Sequence, residues 1–435
     1  MITRWLRDNA HPLRTLDPAD DDLSDLEPLR DIVGDARVVA IGESTHRIHE
    51  FYQLRHRLTR FLVRELGFTA FVMESGFPEG LAVHDWVLGG PGDPADLLDR
   101  GVTYHMGKCA ELRDHLEWLR ANTVRFYGMD VSDSSASARP AVDACLTFLD
   151  DADRDYAESL RRELAPLFDY LPADRTGLAW AAPALGAYLA LDPRVRNELT
   201  ARIGALAERM QAQRVVYSAA TGRERYETAL RCAATARHTD AFLQAMAAAP
   251  HRTYAGANIR DAAMAENVEW ILGREERIVV TAANGHVQRW PFSIPLLMPA
   301  GMTALGEHLA ASLGERMVVI ASAFGGGTLF LHRPVPDGPP GHTEVFTQDL
   351  DSPDPGSLDA LLATAGLPRY LLDLRAVPAT GPVADAFAAP ATIMTGLQPT
   401  PVDPMAAFDA VVYVDRVSPW HTVLGHPAPP GAAPS

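Results

Sequence analysis

The sequence predicts an α/β fold: a mostly parallel central sheet flanked by helices, interrupted by a large all-helical insertion. Three observations lead there. Four short apolar runs each end on polar, reactive residues, as buried parallel strands do when they deliver side chains to one edge of a sheet. Segments of helical periodicity alternate with those runs at short spacing. From about Ser137 to Ala248 the strand signal fades, and Ala-, Leu- and Arg-rich periodic segments replace it.

The elements follow in order. The acidic stretch Asp17–Leu29 reads as an N-terminal arm. A strand over 36–43 ends on Glu43, and a helix follows from about Ile48 to Leu66. Phe51, Leu54, Leu58, Phe61, Leu62 and Leu66 give that helix one apolar stripe. Arg57 and Arg60 read as solvated positions, and Glu50 as a partner for Arg47 or Arg57. Gly67 stops the helix, and a parallel strand over 69–74 ends on Glu74. Gly76-Phe-Pro and Gly89-Gly-Pro-Gly read as loops. A helix over 110–120 leads to a strand over 124–130 that ends on Asp130. Insertion helices are expected over 141–149, 154–168, 194–218 and 224–247. The α/β pattern resumes with a helix over 258–272, a strand over 277–283, a helix near 302–311 and a strand over 317–324. Gly325-Gly-Gly predicts a hairpin into 328–332, and the Pro-, Gly- and Asp-rich stretch 334–358 predicts a long surface loop. Short strands are expected over 371–374, 391–395 and 408–414, and a disordered tail over 427–435. The domain reading is an α/β first half over 1–135, a helical insertion or lid over 136–255, and an α/β second half over 256–435.

Composition excludes several classes. The chain of 435 residues is 47% hydrophobic, ample for a large core. No apolar run approaches the roughly 20 residues that cross a bilayer, and the charged start Met1-Ile-Thr-Arg-Trp lacks a signal core. A cytoplasmic protein without membrane association is expected. A formal charge of −17 argues against nucleic acid or an acidic membrane as partner. Cys109, Cys145 and Cys232 form no CxxC pair and read as reduced core or surface thiols. There is no GxSxG elbow, no P-loop and no HExxH helix, and Gly325-Gly-Gly lacks the rest of a dinucleotide fingerprint. Neither cofactor nor metal is expected.

The strand ends carry the chemistry. His46 lies in the loop three residues beyond Glu43, and a neutral imidazole beside a carboxylate accepts a proton from water near pH 7. Glu74 ends a run that should be buried on both faces, so its charge needs a partner. Asp130 follows the same logic. Arg55, beside the buried stripe of its helix, is placed to hold Glu74 or a substrate oxygen. Asn284 and His286 follow the strand over 277–283, where Ala283 and Gly285 leave room.

These residues resemble a family. Gly42-Glu-Ser-Thr-His46, Glu50, Arg55, Gly67-Phe, Glu74, Phe126-Tyr-Gly-Met-Asp130, Arg260-Asp-Ala-Ala-Met-Ala-Glu-Asn267, Asn284-Gly-His286 and Phe408-Asp-Ala-Val-Val-Tyr-Val together resemble the erythromycin esterase family across most of the chain. The resemblance implies metal-independent hydrolysis of an ester or lactone in a bulky, macrolide-like natural product. It casts His46 as general base, surrounded by Glu43, Glu74 and Arg55; on a hydrolytic reading His286 is expected to assist the leaving alkoxide. One departure stands out. The family's late strand usually ends in His-Asn-x-His, and here Ala283 replaces the first histidine. Arg47 stands where glycine is usual and His49 where a small residue is usual, and either could replace the missing group from the opposite wall. Asp130, Asn284, His49 and Arg47 are therefore the expected substrate-binding residues. Two alternatives remain: a non-hydrolytic tailoring enzyme that performs elimination, cyclisation or rearrangement in the same cleft, and a binding protein with a decayed site. The expected partner is a small molecule, chosen by the insertion and the Gly89–Gly92 loop. Oligomeric state is open.

Overall fold

An eight-stranded sheet organises the chain. Its strands in sequence order are β1 Val38–Glu43, β2 Ala70–Gly76, β3 Arg125–Asp130, β4 Ile278–Ala283, β5 Met317–Phe324, β6 Arg369–Asp373 and β7 Ala410–Val414, with the short pair His11–Pro12 at one edge. This is a computed structural model, and it describes residues 1–172, 181–248, 253–295, 298–335, 343–389 and 391–422. Across the sheet the order is His11–Pro12, β6, β7, β5, β1, β4, β2, β3. From β7 to β3 all neighbours are parallel, while β6 and the edge pair run antiparallel.

Burial explains why these runs are strands. Every residue of β1 and β5 is buried, and both are rich in β-branched side chains that pack on a sheet covered on two faces. Alternate residues serve opposite cores. Val39 and Ile41 join Phe51, Leu54 and Leu58 of helix α1, His49–Leu66, on one face. Val38 and Ala40 join Met264 and Val268 of helix α2, Thr253–Leu272, on the other. Gly67 closes α1 at φ 72°, a left-handed conformation that glycine adopts without strain.

Among the described residues six further α-helices lie between β3 and α2: Arg139–Ala152, Arg154–Leu164, Ala181–Leu189, Pro193–Ala212, Arg214–Thr221 and Arg223–Ala248. They build a core of their own from Val142, Cys145, Leu206, Met210, Tyr217 and Ala236. The last packs along α2, and Phe77 meets Trp270 of α2 edge-on at 5.3 Å. All three cysteines are buried and unbridged.

Several expectations are corrected. Gly76-Phe-Pro is no loop: a helix, Phe77–Val87, starts there, with Pro78 in the first turn, where a missing N–H costs nothing. The helix expected over 194–218 breaks at Gln213. The strand after the glycine run, Gly327–Pro334, cannot form a hairpin with β5 because β1 and β7 already occupy both its edges. It pairs instead with Thr343–Leu350, a strand inside the stretch expected to be loop. Thr392–Thr395 pairs with Gln398–Pro401 outside the main sheet. Arg57 and Arg60 are buried, since the N-terminal arm folds over α1 and supplies Asp25 and Asp21 as partners. The expected disordered tail, 427–435, lies outside the described residues.

Candidate active site

The parallel strands deliver their carboxyl ends to one cleft, with β4 in the middle. Gly42 lets β1 approach the chain after β4, since a Cβ there would strike Asn284 and Val287. Asn284 then ties three strand ends together. It donates to the Ser322 carbonyl at 2.8 Å and to Ser44 at 3.3 Å, and accepts from the Ser322 amide at 3.2 Å. Beyond Ser44 the chain turns sharply through Arg47, whose φ of 64° is unusual for a side chain of that size.

One wall holds Glu43 and His46. The imidazole Nδ1 lies 2.6 Å from Glu43 Oε1, and because a carboxylate accepts, Nδ1 carries the proton. That leaves Nε2 with a lone pair and no protein hydrogen bond among the described residues, on a side chain 31% exposed. Arg55 lies beneath, its Nη1 3.9 Å from Glu43 Oε2 and its guanidinium 4.0 Å from the Tyr52 ring. Arg55 therefore backs Glu43 rather than reaching Glu74 as expected. Burial works against its charge, but Glu43 and Tyr52 outweigh it and raise its pKa.

The facing wall is a closed network. β2 carries one extra residue against β3 between Met73 and Gly76, a bulge that re-aims Glu74. Glu74 Oε1 accepts from Arg260 Nη2 at 2.8 Å, and Oε2 accepts from the Ala283 amide at 3.0 Å. Arg260 also holds Asp130 through Nε at 3.0 Å and Nη2 at 2.6 Å, and the Tyr104 hydroxyl donates to the same carboxylate at 2.9 Å. His286 donates from Nδ1 to Asp261 at 2.9 Å, and its Nε2 faces Glu74 at 3.4 Å. Burial disfavours the imidazolium, yet the charges of Asp261 and Glu74 prevail and lift its pKa to about 10. Burial likewise works against the charge of Glu74, but His286 and Arg260 hold its carboxyl well below the usual range. This wall is thus a fixed array of charges at neutral pH.

The structure brings Glu43, His46, Arg55, Glu74 and His286 to one place. It turns the expected substrate-binding residues to other partners. Asp130 is fully enclosed and serves Arg260; Asn284, 1% exposed, serves the strand ends. Arg47 is half-buried, and its Nη2 donates to the Tyr104 carbonyl at 3.2 Å. His49 opens α1 just past the left-handed Arg47, and that helical phase points it away from the cleft, at Glu111 and His421. Arg260, Asp261 and Tyr104 are the site residues that strand-end reasoning missed. The available signal was two adjacent charges, Arg260-Asp261, opening an otherwise Ala- and Met-rich turn; Tyr104 carried none.

What fold and side chains define together is an α/β protein with a cluster of histidines, carboxylates and arginines at the carboxyl ends of its parallel strands. The chain belongs to the erythromycin esterase family, whose profile matches residues 63–417, and so to a family of esterase-like hydrolases. It is 28% identical over 390 residues to erythromycin esterase type II of Escherichia coli, covering 86% of this chain and 89% of that protein. Among solved structures, a Bacillus cereus protein aligns over 97% of this chain and 98% of its own, at TM-score 0.78 and 24% identity. A mutant of the erythromycin esterase EreC in its open conformation aligns over 94% of this chain and 98% of its own, at TM-score 0.77 and 20% identity. At those identities the structures speak for the fold. Among the described residues no helix is long and apolar enough to cross a membrane.

Proposed function

We propose that this protein hydrolyses an ester or lactone in a bulky, macrolide-like natural product, with His46 activating the water. The observation that carries this reading is the Glu43–His46 pair, whose Nε2 has no protein hydrogen bond among the described residues and whose imidazole lies near enough to Glu74 to act on its charge. Family membership and the name of the E. coli relative supply the substrate class.

In this scheme His46 Nε2 takes a proton from water as the oxygen attacks the carbonyl carbon. Glu43 stabilises the imidazolium that forms, and Arg55 balances Glu43. Charge develops on the carbonyl oxygen and then on the leaving alkoxide. The His286 imidazolium and Arg260, 14% and 16% exposed, are the cations that face it. His46 returns its proton to the alkoxide, which leaves an alcohol and a carboxylic acid that ionises to solvent. Glu74, Asp130, Asp261 and Tyr104 fix those cations before substrate arrives. The helices over 136–255 and the Gly89–Gly92 loop are the proposed determinants of which substrate enters.

Ala283 favours a second reading. It is the register partner of Glu43 at the centre of the cleft, so the donor that a histidine would bring is missing there. Proton removal by His46 without added water would then give elimination, cyclisation or rearrangement. Mass spectrometry of the purified protein with a panel of macrolides, other lactones and esters separates the readings. A hydroxy acid heavier by one water from a lactone, or an acid and an alcohol that together weigh one water more than an ester, supports hydrolysis. An isomeric product, or one lighter by a water, supports the second reading. A ligand that is bound and returned unchanged contradicts both.

A further inference from the structure

We infer a second site, separate from the cleft: His49, Glu111 and His421 form a three-ligand binding site for a divalent transition-metal ion such as zinc. Their donor atoms lie within 4.8 Å of one another, the one convergence of three such groups among the described residues. His49 Nδ1 is 2.6 Å and His421 Nδ1 2.8 Å from the same oxygen, Glu111 Oε1. The two rings meet at 73° with centroids 4.6 Å apart, so their nitrogen-bearing edges turn to a common point instead of stacking.

The frame around them is rigid. His49 is the first residue of α1, and Glu111 sits in the first turn of helix Ala110–Ala121. The C-terminal segment is clamped to both helix starts by bridges between Ile48 and Pro419 and between Cys109 and Thr422. The His421 amide donates to Glu111 at 3.0 Å, and the His421 carbonyl accepts from the Ala110 amide at 2.9 Å. Ligands held on fixed backbone make precise sites.

The charge pattern points the same way. Glu43, Glu74 and Asp130 are each matched by an arginine. Glu111 is 8% exposed, and its ion pairs among the described residues are with histidines alone. A buried carboxylate calls for a lasting counter-charge, and a bound cation between two imidazoles and that carboxylate supplies one. Two histidines, a carboxylate and an open fourth position suit zinc. That position opens on a cavity of about 590 Å³ whose wall also carries Asp17, Asp114 and Glu117, acids that favour a cation. Zinc bonds of about 2.0–2.2 Å set tetrahedral ligands roughly 3.3 Å apart, so the present hydrogen bonds need only a small rotation of each ring to admit the ion. The ion would fasten the C-terminal segment, whose Trp420 packs on Arg47 at 5.7 Å, to the start of α1 three residues beyond His46.

The test is titration of zinc chloride into the tag-free full chain, with metal analysis and melting curves, for wild type, His421→Ala and Glu111→Gln. His421 is 69% exposed, so its truncation leaves the fold intact. The expected result is one zinc per chain and a melting temperature that rises with zinc in wild type. Losing even a supporting partner costs roughly 10–100-fold in metal affinity, so each variant should bind at least about tenfold more weakly and lose the rise. Absence of stoichiometric binding in wild type overturns the proposal, and so does affinity unchanged in either variant.

Discussion

Two walls face each other across the cleft, and each sets a histidine against a carboxylate, yet the two imidazoles are prepared for different work. Among the described residues His46 has one hydrogen-bond partner, Glu43 at 2.6 Å, and its second nitrogen is open. His286 has Asp261 on one nitrogen and both Glu74 and Arg260 at the other, and the two carboxylates outweigh burial and the arginine and lift its pKa to about 10. The comparison teaches that a carboxylate beside a histidine does not define its role. What surrounds the second nitrogen does. One wall leaves an imidazole nitrogen open, and the other holds its imidazole among paired charges.

Removing the exchanging side should have the largest effect. His46→Ala is expected to lower kcat by about 10²–10⁴-fold, the usual worth of a general base, with little change in melting temperature because the side chain is partly exposed. Steady-state kinetics with a thermal melt on the same preparation checks both. Disassembling the fixed side should cost stability as well as activity. Arg260→Met leaves Asp130 buried without its cation and Glu74 with His286 alone, and a loss of about 3–5 kcal/mol in denaturant unfolding is expected.

His286→Asn tests the charge itself. A kcat loss of about 10²–10³-fold is expected if the imidazolium stabilises developing negative charge. The stability signature has a definite sign. A folded pKa of about 10 against an ordinary 6.5 means that the His286 contribution is fully present below pH 6.5 and is lost as pH rises through about 10. Melting curves from pH 6.5 to 10 should fall more steeply for wild type than for the variant. Ala283→His is expected to have the smallest effect, a gain of about tenfold in hydrolysis. That is short of a full oxyanion donor, because the backbone amide of Ala283 already serves Glu74. Equal kinetics in wild type and the Ala283→His variant would show that the departure is neutral.

The parallel part of the sheet was legible because its strands are buried along nearly their whole length, and unbroken apolar runs such as those in Val38–Glu43 and Met317–Phe324 advertise that. The residues at their ends could then be placed on one edge by topology alone. Side chains that arrive from helices could not. Arg260 reaches from α2 to the ends of β2 and β3, a contact set by packing across more than a hundred residues of chain. Arg57 and Arg60 read as solvated because helical phase says nothing about an arm that later folds over them. His49 was assigned to the cleft as a replacement for the histidine missing at Ala283, but beyond the left-handed turn at Arg47 it pairs with Glu111. Spacing also overstated Asp130 and Asn284, whose residue types suit a ligand as well as they suit a scaffold.

The central claim is that His46 activates water for attack on an ester carbon. It is tested most directly by running turnover in oxygen-18 water with wild type and His46→Ala in parallel and locating the label by tandem mass spectrometry. The account predicts one labelled oxygen in the new carboxylate of the wild-type product and loss of that product in the variant. An unlabelled product from wild type, or a labelled one formed as fast by His46→Ala, would contradict it.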